Sequence, residues 1–134
     1  MLVYLCRHGH AAAGDPDELR ELTEEGRAQA RELGERLADA SPAPVAVVSS
    51  PFVRARQTAA AIARATDAEL RVDERLAPGA TLASLRAAVA GLDGPVATVG
   101  HQPDCSEIAV AVTGHDPGFP AGGMLELELD AEPR

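Results

Sequence analysis

Residues 2–6, Leu-Val-Tyr-Leu-Cys, form a short continuous apolar run. Such a run predicts a strand buried on both faces. Residues 45–48 and 96–99 repeat the pattern, and residues 70–72 give a briefer version. Between these runs the apolar positions recur at helical spacing. Thr23 caps a first helix, with Gly26, Ala30, Leu33, Gly34, Leu37 and Ala38 on its inward face. Ser41-Pro42-Ala43-Pro44 ends it. Ser50 as N-cap and Pro51 at the first helical position start a second helix, burying Phe52, Ala55, Ala59, Ile62 and Ala63. Thr81 starts a third, with Leu82, Leu85, Val89 and Leu92 inward, and Pro103 opens a fourth, with Ile108, Ala109 and Val112 inward. Residues 11–21, broken by Gly14, Asp15 and Pro16, read as a loop, as do the Gly/Pro-rich residues 113–123. Leu125, Leu127 and Leu129 alternate with Glu126, Glu128 and Asp130. That alternation predicts a last strand with one wet face, as at a sheet edge.

Strands alternating with helices predict an α/β fold: a three-layer sandwich with a mostly parallel central sheet and helices on both faces. The 134 residues suggest one domain over residues 1–134, long enough to bury a real core. The composition is 46% apolar but only 2% aromatic. The core therefore rests on Leu, Val, Ile and Ala, with helices close to the sheet. A net charge of −9 argues against nucleic acid as a partner, because that affinity comes largely from basic residues. Arg54 and Arg56, with Arg7, instead make a local cationic cluster suited to a small phosphoanion. Two cysteines, Cys6 and Cys105, are too few for a disulfide framework and read as buried free thiols in a reducing cytosol. No charged segment leads into an apolar one at the N-terminus. No run approaches the ~18 apolar residues of a membrane span. The expectation is a cytoplasmic protein with no membrane partner.

Three reactive segments fall at three strand ends. The first strand runs into Arg7-His8-Gly9, the second into Ser50-Pro51 with Arg54 a turn beyond, and the fourth into Gly100-His101. Parallel strands gather their carboxyl ends, which is where open α/β sheets bind ligands. Two arginines and two histidines can therefore meet at one spot, beside helix N-termini that favour an anion. Arginine neutralises phosphate oxygens, and an imidazole can attack phosphorus. His10 reads as a residue of the rim and His115 as a loop residue.

These segments resemble the histidine phosphatase superfamily, which includes the cofactor-dependent phosphoglycerate mutases. Leu5-Cys6-Arg7-His8-Gly9 is similar to its Arg-His-Gly signature, and Leu22-Thr23-Glu24-Glu25-Gly26 to its Leu-Thr-x-x-Gly helix start. Ser49-Ser50-Pro51-Phe52-Val53-Arg54-Ala55-Arg56-Gln57-Thr58 and Val99-Gly100-His101-Gln102-Pro103 are the third and fourth matches. All four stand in order within residues 1 to 110 or so, and their wording looks most like the SixA-like phosphohistidine phosphatase branch. The resemblance implies a phosphoglycerate mutase-like fold and phosphatase activity through a covalent phosphohistidine. His8 would be the nucleophile. Arg7, Arg54 and His101 would hold the phosphoryl group, with Gly9 beside it. His8 needs one unprotonated nitrogen, so its other nitrogen should be fixed, for instance by a backbone carbonyl. Neither metal nor cofactor is implied. The substrate would be a phosphorylated molecule, with a histidine-phosphotransfer protein among the candidates. Mutases of the superfamily carry an acidic proton donor after the third strand. Here residues 73–80 hold only Glu74 beyond Asp73, and Glu74 reads as solvent-facing. The SixA-like branch also lacks this acid.

Rival readings stand beside this one. His8-Gly9-His10 has a metal-like spacing, but arginines aimed at the same spot would repel a dication. A thiol phosphatase needs Cys-x5-Arg, whereas Ala12 and Ala111 stand sixth after Cys6 and Cys105. A small-molecule phosphomonoesterase of the same superfamily and a non-catalytic phosphate-binding module remain as alternatives. The module would have no need of His8.

Overall fold

The computed structural model describes residues 1–129. Strands β1 (Leu2–Arg7), β2 (Ala46–Ser49), β3 (Glu69–Val72), β4 (Val96–Gly100) and β5 (Met124–Glu128) form one sheet in the order β3-β2-β4-β1-β5. The β3-β2, β2-β4 and β4-β1 pairs are parallel; β5 lies antiparallel to β1 at an edge. Helices α1 (Glu24–Ala38), α2 (Val53–Thr66), α3 (Leu82–Val89) and α4 (Asp104–Thr113) complete the fold.

The continuous apolar runs are explained by burial on both faces. Along β1, Tyr4 and Cys6 join a core with Leu33, Leu37, Ala55, Ala59 and Ile62 beneath α1 and α2. Val3 and Leu5 point the other way, into a core with Leu85, Val89, Ile108 and Leu127 beneath α3 and α4. The two-residue period of a strand sends alternate side chains to opposite layers. Each fully buried Leu or Ile contributes about 1.5–3 kcal/mol of apolar burial. Helices α1 and α2 approach closely because small residues face each other. A Cβ added at Gly34 would come 2.9 Å from the Ala61 carbonyl oxygen. This is how a chain nearly free of aromatics still packs densely.

Several boundaries differ from the sequence expectation. The second strand begins at Ala46, not Val45, whose side chain is exposed. Ala38 and the third strand are also exposed. Helix α2 begins at Val53 after Phe52, so Ser50 and Pro51 precede it rather than cap it. Phe52 is therefore only half-buried, and the buried stripe is Arg54, Ala55, Thr58, Ala59 and Ile62. The loop of residues 11–21 contains a 3-10 helix at Asp17–Leu19. Thr23 caps α1 as expected, accepting from the Gly26 amide at 3.0 Å. Thr81 caps α3 in a reciprocal box with Ser84. Asp130 lies outside the described residues. Among those described, no helix is long and apolar enough to cross a membrane.

Candidate active site

Strand register levels the reactive ends. Arg7 pairs with Gly100 across β1 and β4, and Ser49 pairs with Val99 across β2 and β4. The next residues, His8, Ser50 and His101, therefore emerge side by side. Together with Arg7, Arg54, His10, Asp17, Arg20 and Gln102 they surround or border a cavity of about 370 Å³. The five residues expected from sequence, Arg7, His8, Gly9, Arg54 and His101, all line it.

His8 Nδ1 lies 2.6 Å from the Gly9 carbonyl oxygen. A carbonyl only accepts, so Nδ1 carries the proton and Nε2 keeps its lone pair. The other neighbour agrees: Arg54 Nε–H donates to His8 Nε2 at 3.3 Å. Burial lowers the His8 pKa to about 4, and the charges of Arg54 and Arg7 push the same way against the Gly9 hydrogen bond. His8 is thus neutral at pH 7, with one nitrogen available.

His101 is 3% exposed. Its ring lies edge-on to His8, with centroids 5.1 Å apart. Its Nε2 is 2.7 Å from Ser50 Oγ, which also accepts from the Phe52 amide at 3.2 Å. Ser50 is thus a site residue that the reading of it as a helix cap missed. Burial, then the neighbouring His8 and Arg54, lowers the His101 pKa to about 3. Two buried groups here have no hydrogen-bond partner, Arg7 Nε and His101 Nδ1. Buried polar groups are nearly always paired, so these two cavity-lining residues keep unused hydrogen-bonding capacity. Arg7 is held by its Nη1 donating to the Phe119 carbonyl at 2.8 Å.

Other motif contacts tie the parts of the cavity together. The Gly9 amide donates to Thr58 Oγ1 at 3.1 Å. Gly9 lines the cavity, with its N–H engaged by Thr58. A Cβ at Gly9 would come 2.5 Å from the Gly26 carbonyl oxygen, and one at Gly26 would collide with the His10 carbonyl. The two glycines let the start of α1 lie directly on the turn that carries His8. Gln57 Oε1 accepts from the Leu22 amide at 2.8 Å, and Gln29 Oε1 from the His10 amide at 2.8 Å.

Asp17 and Arg20 are the pair the sequence reading left in a loop. Arg54, only 6% exposed, donates through Nη1 to the Asp17 carbonyl at 2.8 Å and through Nη2 to Asp17 Oδ2 at 3.2 Å. Arg20 Nη1 donates to Asp17 Oδ1 at 2.8 Å. Hydrogen bonds from Arg20, then Arg54, hold the Asp17 carboxyl below its ordinary range. The Asp17-x-x-Arg20 spacing just ahead of Leu22-Thr23 was the available signal. Glu74 is exposed and does not line the cavity. His10 stands on the rim, its Nδ1 2.9 Å from Thr23 Oγ1, and His115 is exposed in a loop. Cys6 and Cys105 are buried free thiols. Burial pushes both pKa values up, that of Cys105 to about 12, so neither is a ready nucleophile. No cluster of three or more His, Cys, Asp or Glu suited to a metal occurs among the described residues.

The depressed imidazoles predict a stability slope. Below pH 6.5 an unfolded histidine takes up a proton, while folded His8 stays neutral down to about 4 and His101 down to about 3. The unfolded state then binds more protons, so this stability is present above pH 6.5 and is lost as pH falls through the folded values. Calorimetric Tm should drop between pH 6.5 and 4, and His8→Asn and His101→Asn should each flatten the drop. Identical slopes in wild type and both variants would show that the rings titrate normally.

Residues 3–78 match the histidine phosphatase superfamily (branch 1). An uncharacterized protein of Picosynechococcus sp. strain PCC 7002 is 36% identical, over 98% of this chain and 87% of that protein. SixA of Agrobacterium tumefaciens superposes with a TM-score of 0.81 at 30% identity, covering 93% of this chain and 89% of that one. The protein histidine phosphatase SixA complexed with tungstate gives 0.86 at 25% identity, over 97% and 89% of the two chains. The family match, the strand order and the SixA-like architecture agree: this chain belongs to the histidine phosphatase superfamily, in its SixA-like branch.

Proposed function

We propose that the protein hydrolyses phosphohistidine on a protein substrate through a covalent phosphoryl intermediate on His8. The observation that carries this reading is the fixed His8 tautomer, with Nδ1–H on the Gly9 carbonyl and Nε2 turned to Arg54. In the first step Nε2 forms a bond to phosphorus as the bond to the substrate nitrogen breaks, and the substrate ring, already protonated on its other nitrogen, leaves with the electron pair as neutral imidazole. In the second, water attacks phosphorus, the bond to Nε2 breaks, and phosphate departs with His8 restored. Arg7, Arg54 and His101 hold the phosphoryl oxygens, stabilising charge in place of solvent. The SixA structure complexed with tungstate, a phosphate-like oxyanion, supports an anion site in this fold.

The phosphohistidine preference rests on the acids. An alkoxide leaving group usually needs a positioned proton donor, typically worth 10²–10⁴-fold. Among the described residues Asp17 is the one carboxylate lining the cavity, and Arg20 and Arg54 keep it ionised. Glu74 is elsewhere. A phosphohistidine ring protonated on its other nitrogen leaves as neutral imidazole, a far less basic group than an alkoxide, and needs no enzyme acid. The decisive comparison is kcat/KM for a phosphorylated histidine-phosphotransfer protein against alkyl and sugar phosphates at one pH. The phosphohistidine protein should win by about a hundredfold or more. A hundredfold preference for an alkyl or sugar ester would favour a small-molecule phosphomonoesterase and reveal an acid at the site.

A further inference from the structure

The Asp17 carboxylate spans two of the cavity's arginines. Oδ2 accepts from Arg54 Nη2 at 3.2 Å, and Oδ1 from Arg20 Nη1 at 2.8 Å. Arg54 Nε–H meanwhile faces His8 Nε2 at 3.3 Å. The same guanidinium thus serves the candidate nucleophile with one N–H and an anionic oxygen with another. A phosphoryl group on that nitrogen also presents anionic oxygens and seeks the same donors. The two partners differ in freedom: the Arg54 side chain is 7% exposed and the Asp17 side chain 54%. Arg54 is anchored independently of the carboxylate, through its Nη1 bond to the Asp17 backbone carbonyl. The carboxylate can therefore leave while the guanidinium stays.

We propose that Asp17 is a specificity-determining residue, an internal anion that competes with the phosphoryl group for Arg54 and Arg20. The inference rests on the phosphatase reading above. Free phosphate has only its own oxygens with which to displace the carboxylate. A phosphoryl group delivered on a protein side chain adds contacts along the rim, and one bonded to His8 is held covalently. The competition therefore falls hardest on the product. When hydrolysis frees phosphate, the carboxylate returns to the two guanidinium groups and phosphate is expelled. Asp17 thereby keeps a strongly cationic pocket from filling with the free anion.

Asp17→Asn keeps the shape and an acceptor oxygen but removes the charge; Asp17→Ala removes both. Each retains the backbone carbonyl that anchors Arg54. Glu18→Gln is the control for general charge, since Glu18 is exposed and does not line the cavity. Calorimetric titration with inorganic phosphate, at one pH and salt concentration, should show about tenfold tighter binding for both Asp17 variants. Glu18→Gln should bind as wild type does. The inhibition constant of phosphate against turnover should fall in parallel, with KM changing more than kcat. If Asp17 only orients Arg54, phosphate affinity will be unchanged in the Asn variant or weakened in the Ala variant, and the proposal fails. An equal gain in Glu18→Gln also overturns it. If neither wild type nor either variant binds phosphate, the phosphatase reading falls as well, whereas unchanged affinity in a wild type that does bind phosphate removes only the role of Asp17.

Discussion

His8→Ala is expected to abolish turnover, by at least about 10⁴-fold, because no second group can take over covalent attack. Cys6 and Cys105 are buried thiols with raised pKa values. His101, the other buried imidazole, already has its Nε2 on Ser50. Rapid quench of wild type with labelled substrate should trap acid-labile, base-stable phosphate, the signature of a phosphorus–nitrogen bond. The variant should trap none, and should still bind inorganic phosphate, because Arg7 and Arg54 remain. Turnover and label in wild type that are lost in the variant separate an enzyme from a phosphate-binding module, for which His8 would matter only to affinity. Undiminished label in the variant would refute the assignment of His8 as nucleophile.

What the sequence disclosed, and what it hid, follows from how each feature is built. Strands buried on both faces announce themselves as unbroken apolar runs, and the sites at their carboxyl ends follow from the topology alone. Hence Arg7, His8, Arg54 and His101 were legible, and the sheet register brings them together as expected. Ser50 was misread because serine followed by proline is the ordinary start of a helix. Tertiary structure gives its hydroxyl to His101 and delays the helix to Val53. Gly9 lines the cavity as the sequence suggests, and what the sequence hid is that its amide is held by Thr58, 49 residues on. Asp17 and Arg20 were hidden for a related reason. Their 3-10 turn lacks apolar periodicity, and what gives it meaning is Arg54, 37 residues on. Local pattern reports which residues are buried by their neighbours in sequence, not which loop will fold over a distant guanidinium.

Arg54 and Arg56 provide the sharpest test of the placement of α2, since they are near neighbours in sequence with opposite surroundings. Two positions along a helix is about 200° around it. Arg54 accordingly points into the cavity at 6% exposure, and Arg56 is exposed. Arg54→Ala should lower kcat/KM by roughly 10²–10³-fold, the scale for removing one preorganised donor from developing charge. It removes the N–H that faces His8 Nε2 and leaves Asp17 attached to Arg20 alone. Arg54→Lys should recover little, because a point charge cannot serve His8 and a phosphoryl oxygen at once as the planar fork does. Arg56→Ala should cost less than about threefold, within what a solvated surface charge contributes. Steady-state kinetics of the three variants on one phosphohistidine substrate distinguishes the cases. Comparable losses in Arg54→Ala and Arg56→Ala would mean that α2 is turned away from the register seen here, and full recovery in Arg54→Lys would reduce the role of Arg54 to net charge.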